Sequence, residues 1–459
     1  MSRSSLRYLT IFAALGISGC AHYARSPDLP ALTEPALPNI PMAWEVAQAR
    51  IGEVEVGWID RLADPVLSEL VREGLTHNRN LQAALAAVEQ SRALARQARA
   101  PLLPAINYSL AGSEAGPIRG SATDSYSSGV SLSWELDVWG RVRAARNATA
   151  YSLASAEADY VASQYSLAAS IATTYFLVIE SVLQQDVARK SLDALANTHR
   201  IVRAQREIGL ADAYDESLSN ANLASAEATL AQAAGALRQA QRALEVLLGR
   251  YPASAIATRI DLPTVPATPT AGLPSELLAR RPDIVAAEMS VAAAFSNVGA
   301  VKATRLPTLS LNGSLDVSVG RIGDVLDIDN GIWSLASSLL GPLFDAGLRK
   351  AQVEEATASQ RQAIAVFAQT ALNAFQEVEN SIDQNRVLAE RVTALTQAAS
   401  AQNRAFSLAQ LRYREGETDL LDVLTVQTNT LNADSALVSV RRAQLDEWIS
   451  LNLALGGGW

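Results

Sequence analysis

The chain has 459 residues, a formal net charge of −9, three histidines and one cysteine. An acidic balance argues against a nucleic-acid partner. With His22, His77 and His199 scattered and a single Cys20, there is no metal cluster, disulfide framework or Cys–His pair to read as a site, and no cofactor is expected. No run of about 18 apolar residues is present, so no transmembrane helix is expected.

The N-terminus carries Arg3 and Arg7, an apolar run from Tyr8 to Ile17, and then Ser18-Gly19-Cys20. That order is a secretory signal peptide over 1–19. Residues 20–60 are rich in proline and lack periodicity, which predicts an extended arm. From 61 to 250 a first unit follows. Asp64-Pro65 starts a short helix with Leu67, Leu70 and Val71 at helical spacing. A second helix runs from about Asn80 to Ala100, and Pro101 stops it.

The period then changes to two. Ala105–Ser113 alternates loosely, a Gly/Ser/Pro-rich loop covers Gly112–Ser125, and Val130, Leu132, Trp134, Leu136 and Val138 alternate with Ser131, Ser133, Glu135 and Asp137. One face is apolar and the other carries carboxylates, so the polar face should meet water, the pattern of a membrane barrel strand. A half-exposed soluble hairpin shows the same alternation. Between Gly140 and Gly209 there is no glycine or proline for about 68 residues, enough for a helix of ~100 Å. Ile171, Tyr175, Val178 and Val182 form its apolar seam. Gly209-Leu210-Ala211-Asp212 turns the chain, with Asp212 as a cap and Asp215 three residues on, into a helix ending near Leu248.

A proline-rich linker spans 251–272, and the pattern repeats over 273–459. Pro282 opens a helix to about Thr304. Strands are expected over Leu309–Ser318 and, with poorer alternation, over Ile332–Leu343, with Asp316 on the polar face of the former. Gly347 to Gly416 is again free of glycine and proline over about 68 residues, with Ile364, Phe367, Ala371, Phe375, Val378 and Ile382 as its seam. Its turn is Gly416-Glu417-Thr418-Asp419, with Asp422 beyond. The constant offset implies a duplicated unit. Four strands cannot close a barrel, and an open sheet in a bilayer leaves backbone groups unsatisfied, so several chains must pool strands.

The run Gly272–Glu288 with Arg280-Arg281-Pro282-Asp283 at its centre, Tyr413-Arg414-Glu415-Gly416 continuing through Leu421–Leu424, and the ending Leu453–Trp459 resemble the TolC-like outer-membrane efflux proteins, and more narrowly the NodT-type lipoproteins that serve RND transporters. The resemblance covers nearly the whole mature chain. It implies an α+β membrane protein, a trimer whose 12-stranded outer-membrane β-barrel, four strands per chain, continues into a long α-helical periplasmic barrel. It implies a passive exit duct without chemistry of its own, driven by an inner-membrane pump through a periplasmic adaptor. Ile17–Cys20 resembles a lipobox, which makes Cys20 the lipidated first residue of the mature chain.

By the same resemblance Asp419, with Asp422, Arg412, Tyr413 and Arg414, belongs to a periplasmic gate. Asp419 serves equally well as a helix N-cap, and the arginines as a solvated face. Gly209, Leu210, Ala211 and Asp212, and Gly416, Glu417 and Thr418, are the expected adaptor-docking turns, or simple hairpin geometry. Glu135, Asp137 and Asp316 are expected to line the lumen. Two alternatives stand beside the efflux duct: a type I secretion duct, and a lipid-anchored helical scaffold without a pore.

Overall fold

A computed structural model describes residues 23–37, 39–46, 54 and 57–458. The signal peptide and Cys20 lie outside the described residues. The chain divides into two compact units. One is built from Ala86–Asp159 and Asp283–Thr370 together with the described N-terminal residues up to 37. The other is built from Asn39–Leu85, Tyr160–Pro282 and Ala371–Trp459.

In chain order the helices are α1 (Leu29–Thr33), α2 (Trp58–Arg61), α3 (Pro65–His77) and α4 (Arg79–Gln97); strands β1 (Ala105–Ala115) and β2 (Thr123–Leu136) follow. Then come α5 (Arg141–Glu207), α6 (Ala213–Leu247), α7 (Pro274–Arg280), α8 (Pro282–Ala303), β3 (Thr308–Val319), β4 (Gly331–Leu340), α9 (Leu348–Arg414) and α10 (Leu420–Ala454). The duplication is visible in the lengths. Both α5 and α9 have 67 residues, about 100 Å each, and both α6 and α10 have 35. The bounding glycines Gly140, Gly209, Gly249 and Gly347, Gly416, Gly456 all take positive φ, the conformation that closes or opens a helix where an L side chain is disfavoured. The copies diverge at α3 and α7, with 13 and 7 residues. Asp64 caps α3 by accepting from the Val66 and Leu67 N–H groups, whereas Leu273 offers α7 no side-chain acceptor.

In the first unit, the four strands form one antiparallel sheet in the order β1-β2-β3-β4. The register sorts side chains cleanly. Tyr108 faces Val130, Val130 faces Leu315, and Leu315 faces Trp333, so one face is apolar. Ser109, Ser131, Ser314 and Ser334 stand on the other face, with 2.9 Å between the Ser314 and Ser334 hydroxyls. The apolar face is bare, with Tyr108 88% and Trp333 75% exposed. β1 and β4 each leave one edge unpaired.

Several boundaries differ from expectation. Half of the expected loop 112–125 is strand, because β1 runs to Ala115 and β2 begins at Thr123. β2 ends at Leu136, so Val138 and Asp137 lie past the strand, where Asp137 turns to the start of α5. β4 stops at Leu340, three residues early, ahead of Gly341-Pro342.

The core of the second unit is helical. Ile171, Tyr175, Phe176 and Ile179 of α5 pack with Leu244 and Leu248, with Leu445, Trp448 and Ile449 of α10, and with Trp58 and Leu67. The expected seams are buried at Ile171, Tyr175 and Val178, and at Phe367, Ala371, Val378 and Ile382. Tyr175 donates to the buried Asp64 carboxylate at 3.0 Å. Burial, then the Asp64 charge, pushes the Tyr175 phenol well above its ordinary value.

One expectation is corrected. The arm over 20–60 is not simply extended. It holds the short helices α1 and α2. Trp44 is buried, donating its indole N–H to the Gly272 carbonyl at 3.1 Å and meeting Phe375 edge-on, while the Glu45 and Val46 N–H groups donate to Glu379. One aromatic anchor, whose partners lie hundreds of residues away, fixes a segment that has no period of its own. Two helices pass a length-and-composition test for a membrane span, which a core helix passes as well. By length and mean hydropathy alone α5 and α8 are each apolar enough to cross a membrane. About half of the apolar window of α5 is buried inside the protein, as expected of a core helix.

Candidate functional site

The second unit brings the two helix turns together. Val202 of α5 and Leu420 and Leu424 of α10 form a small buried cluster, against which Leu195, Ala211, Leu218 and Tyr413 pack. The turns share one construction. The Gly209 N–H donates to the Arg206 carbonyl and the Leu210 N–H to the Gln205 carbonyl; the Gly416 N–H donates to Tyr413 and the Glu417 N–H to Arg412. These bonds satisfy the carbonyls that end α5 and α9. Neither glycine would meet another atom if it carried a Cβ, so positive φ alone selects it.

The caps differ. Asp212 accepts from Tyr214 and Asp215 N–H at 2.8 and 2.9 Å, and the Asp215 carboxylate accepts from the Asp212 N–H, a reciprocal box. Among the described residues Asp419 accepts only from the Asp422 N–H, at 2.9 Å, and the Asp422 carboxylate takes the Thr418 hydroxyl at 2.6 Å. Asp419 and Asp422 are both exposed. Two carboxylates therefore stand at the start of α10, Asp419 held by the backbone it caps and Asp422 by the Thr418 hydroxyl, both still open to solvent.

Tyr413 sits apart from its arginine neighbours. Its hydroxyl donates to the Gln205 side chain at 2.8 Å, tying the end of α9 to the end of α5. Burial first, then the Asp215 carboxylate, raises its phenol above the ordinary value, so it stays a neutral donor. Arg412 lies 3.8 Å from Glu417 with both side chains exposed, a weak pair. Arg414 is exposed and has no ion pair among the described residues. On the first turn Arg206 pairs with Glu216. Gln205 was not legible as a functional residue, since its partner stands 208 positions away.

The carboxylates expected on the sheet divide likewise. Glu135 is on the polar face, where Arg141 clasps both its oxygens at 2.9 and 2.6 Å. Asp137 accepts from the Val142 and Arg143 N–H groups and pairs with the Arg143 side chain, so it caps α5. Asp316 lies opposite Gly129, and a Cβ there would come within 2.3 Å of its carboxylate oxygen. Glycine thus leaves room for the charge.

The Arg280-Arg281-Pro282-Asp283 run is a clamp. Arg281 is buried and donates to Glu377 at 2.6 Å and to the Ala454 carbonyl at 3.2 Å, while Gly456 packs on the Arg280 backbone. It fastens the α7–α8 junction to α9 and to the end of α10. Midway along α5, a polar network missed in the sequence joins it to α10: Glu180 binds Arg442 at 2.5 Å and accepts from Ser439, and Arg442 also pairs with Asp446. No group of three or more metal-binding side chains occurs among the described residues.

Comparison with known proteins agrees with this architecture. The chain is 33% identical to the pyoverdine export outer membrane protein OpmQ of Pseudomonas aeruginosa, over 88% of this chain and 87% of that one. It is 27% identical to the cation efflux system protein CusC of Escherichia coli, over 99% of both. The solved outer-membrane channel OprN superposes with a TM-score of 0.82 at 28% identity, covering 95% of this chain and 98% of that one. The model of the outer membrane efflux proteins matches twice, over residues 70–250 and 273–457, once for each copy of the repeat, and the chain belongs to that family.

Proposed function

We propose that three copies of this chain form a passive exit duct in the outer membrane of a Gram-negative cell, the last component of a tripartite efflux system. The sheet carries the reading. Its two unpaired edges, β1 and β4, cannot face lipid, because an open backbone edge has no hydrogen-bond partner there. Its strands have 11, 14, 12 and 10 residues, the span of a bilayer crossing. Pairing β4 of one copy with β1 of the next satisfies both edges, and three copies give a closed barrel of twelve strands. The apolar face then meets lipid, and the serine-rich face, with Glu135 and Asp316, meets a wet bore.

The long helices α5 and α9, with α6 and α10, continue that bore into the periplasm as a helical barrel. The turns Gly209–Asp212 and Gly416–Thr418 are the docking points for a periplasmic adaptor, which links the duct to an RND-type inner-membrane transporter. Asp419 and Asp422, repeated three times, ring the aperture and favour cations, and the Tyr413–Gln205 bond helps hold it shut. Cys20 carries the lipid that anchors the mature N-terminus. The names of the relatives, one for pyoverdine and one for cations, suit a duct whose cargo is chosen upstream.

The test is a planar-bilayer recording on protein purified in mild detergent. The expected result is a heat-modifiable trimer with a cation-preferring conductance, raised by Asp419→Ala and by Tyr413→Phe. A monomer that passes no ions would overturn the duct. A conducting trimer insensitive to Asp419→Ala would remove the gate alone.

A further inference from the structure

The two strand-to-helix junctions of the repeat differ in charge. Before α5, each arginine has its carboxylate, Arg141 with Glu135 and Arg143 with Asp137. Counting back equally from Gly140 and Gly347, the second junction has Pro342 where the first has Glu135, and Phe344 where it has Asp137. The cations remain. Arg349 is satisfied internally, by the Thr304 carbonyl at 2.8 Å and by Asp345 at 3.2 Å. Lys350 reaches only Glu354, at 3.8 Å with both side chains over two-thirds exposed. Arg305, which stands where the first copy has Leu102, makes no ion pair among the described residues and is exposed.

These groups surround an open cleft of about 190 Å³ between the end of α8, the end of β4 and the start of α9. Beside it, Leu343 and Phe344 are 102% and 88% exposed, beyond the exposed Leu339 on the apolar face of β4. Arg305, without an ion pair among the described residues, and Lys350, in one long and exposed pair, thus sit next to a bare apolar ledge at the helix-side end of a membrane strand.

We propose that this cleft binds the phosphate of an anionic phospholipid headgroup, with Arg305 and Lys350 on the phosphate and Leu343 and Phe344 against the acyl chains. The proposal rests on the outer-membrane reading, which puts the helix side of the sheet at the phospholipid leaflet facing the periplasm. A basic residue beside apolar and aromatic side chains is the composition of a membrane interface. A free anion would use the cations but gain nothing from the ledge.

Native mass spectrometry on the detergent-solubilised protein tests it, with dihexanoyl phosphatidylglycerol, dihexanoyl phosphatidylcholine and inorganic phosphate as probes. The expected result is one phosphatidylglycerol per chain, bound about 30-fold more weakly by the double variant Arg305→Gln/Lys350→Gln, given the attraction of each cation for an anionic lipid. Arg305→Lys/Lys350→Arg should keep the binding. Equal binding of phosphatidylcholine, competition by phosphate at the same concentration as lipid, or an unaffected glutamine variant would overturn the site. Binding is counted per chain, so loss of the trimer would strike the duct and leave this result readable.

Discussion

Burial sets the charge state of Asp446. Its carboxyl is pushed up from 3.8 to about 6, first by desolvation, against the opposing pull of Arg442 and with a further push from Glu180. The folded value lies above the unfolded one, so the fold prefers the protonated acid. Stability is therefore lost as pH rises from about 4 to about 6, and the whole penalty, up to ~3 kcal/mol, is present at neutral pH. Asp446→Asn should raise the melting temperature at pH 7.5 and leave it unchanged at pH 4, with Arg442 still held by Glu180. Equal shifts at both pH values would mean the gain is not electrostatic. Nothing in the sequence around Asp446 announces this, because Glu180 lies on another helix. Asp64, Asp212 and Asp419 were legible as caps for the opposite reason: a cap acts on backbone two or three residues away. What Asp64 does with Tyr175, 111 positions off, was not.

At the scale of elements, glycine placement was nearly the whole message. Two intervals without glycine or proline became two helices of equal length, and the bounding glycines became the positive-φ turns. Gly209→Ala and Gly416→Ala should each cost about 1–2 kcal/mol, entirely from backbone conformation, since a Cβ there meets no neighbour. Amide exchange should rise in the last turns of α5 or α9 and stay unchanged in the Tyr175 core; exchange that rises throughout would mean the turn is coupled to the whole unit. Elements without a period were less legible. Trp44 docks through contacts distant in sequence, and the strand ends around Asp137 and Gly341 depend on which partner captures the backbone rather than on alternation.

For the whole molecule, alternation left two readings open, a membrane strand and a half-exposed soluble hairpin. The register narrows the choice, since Tyr108, Val130, Leu315 and Trp333 fall in one row across all four strands and the row is bare of any covering layer. A soluble protein with such a face would have to cover it. Adjacent residues of β4 separate the two readings experimentally. Leu335 belongs to the apolar face and is 65% exposed, and Ser334 belongs to the opposite one. In a bilayer Leu335→Arg puts a charge against lipid and should destabilise the assembled barrel by about 2–4 kcal/mol per chain near mid-membrane, while Ser334→Arg, in a wet bore, should leave assembly intact and shift ion preference toward anions. In a soluble hairpin both positions face water and both arginines should be harmless. Trimer yield after reconstitution into lipid reads the difference. If Leu335→Arg assembled as well as Ser334→Arg, the apolar row would not be facing lipid, and the closed twelve-stranded barrel would lose its support.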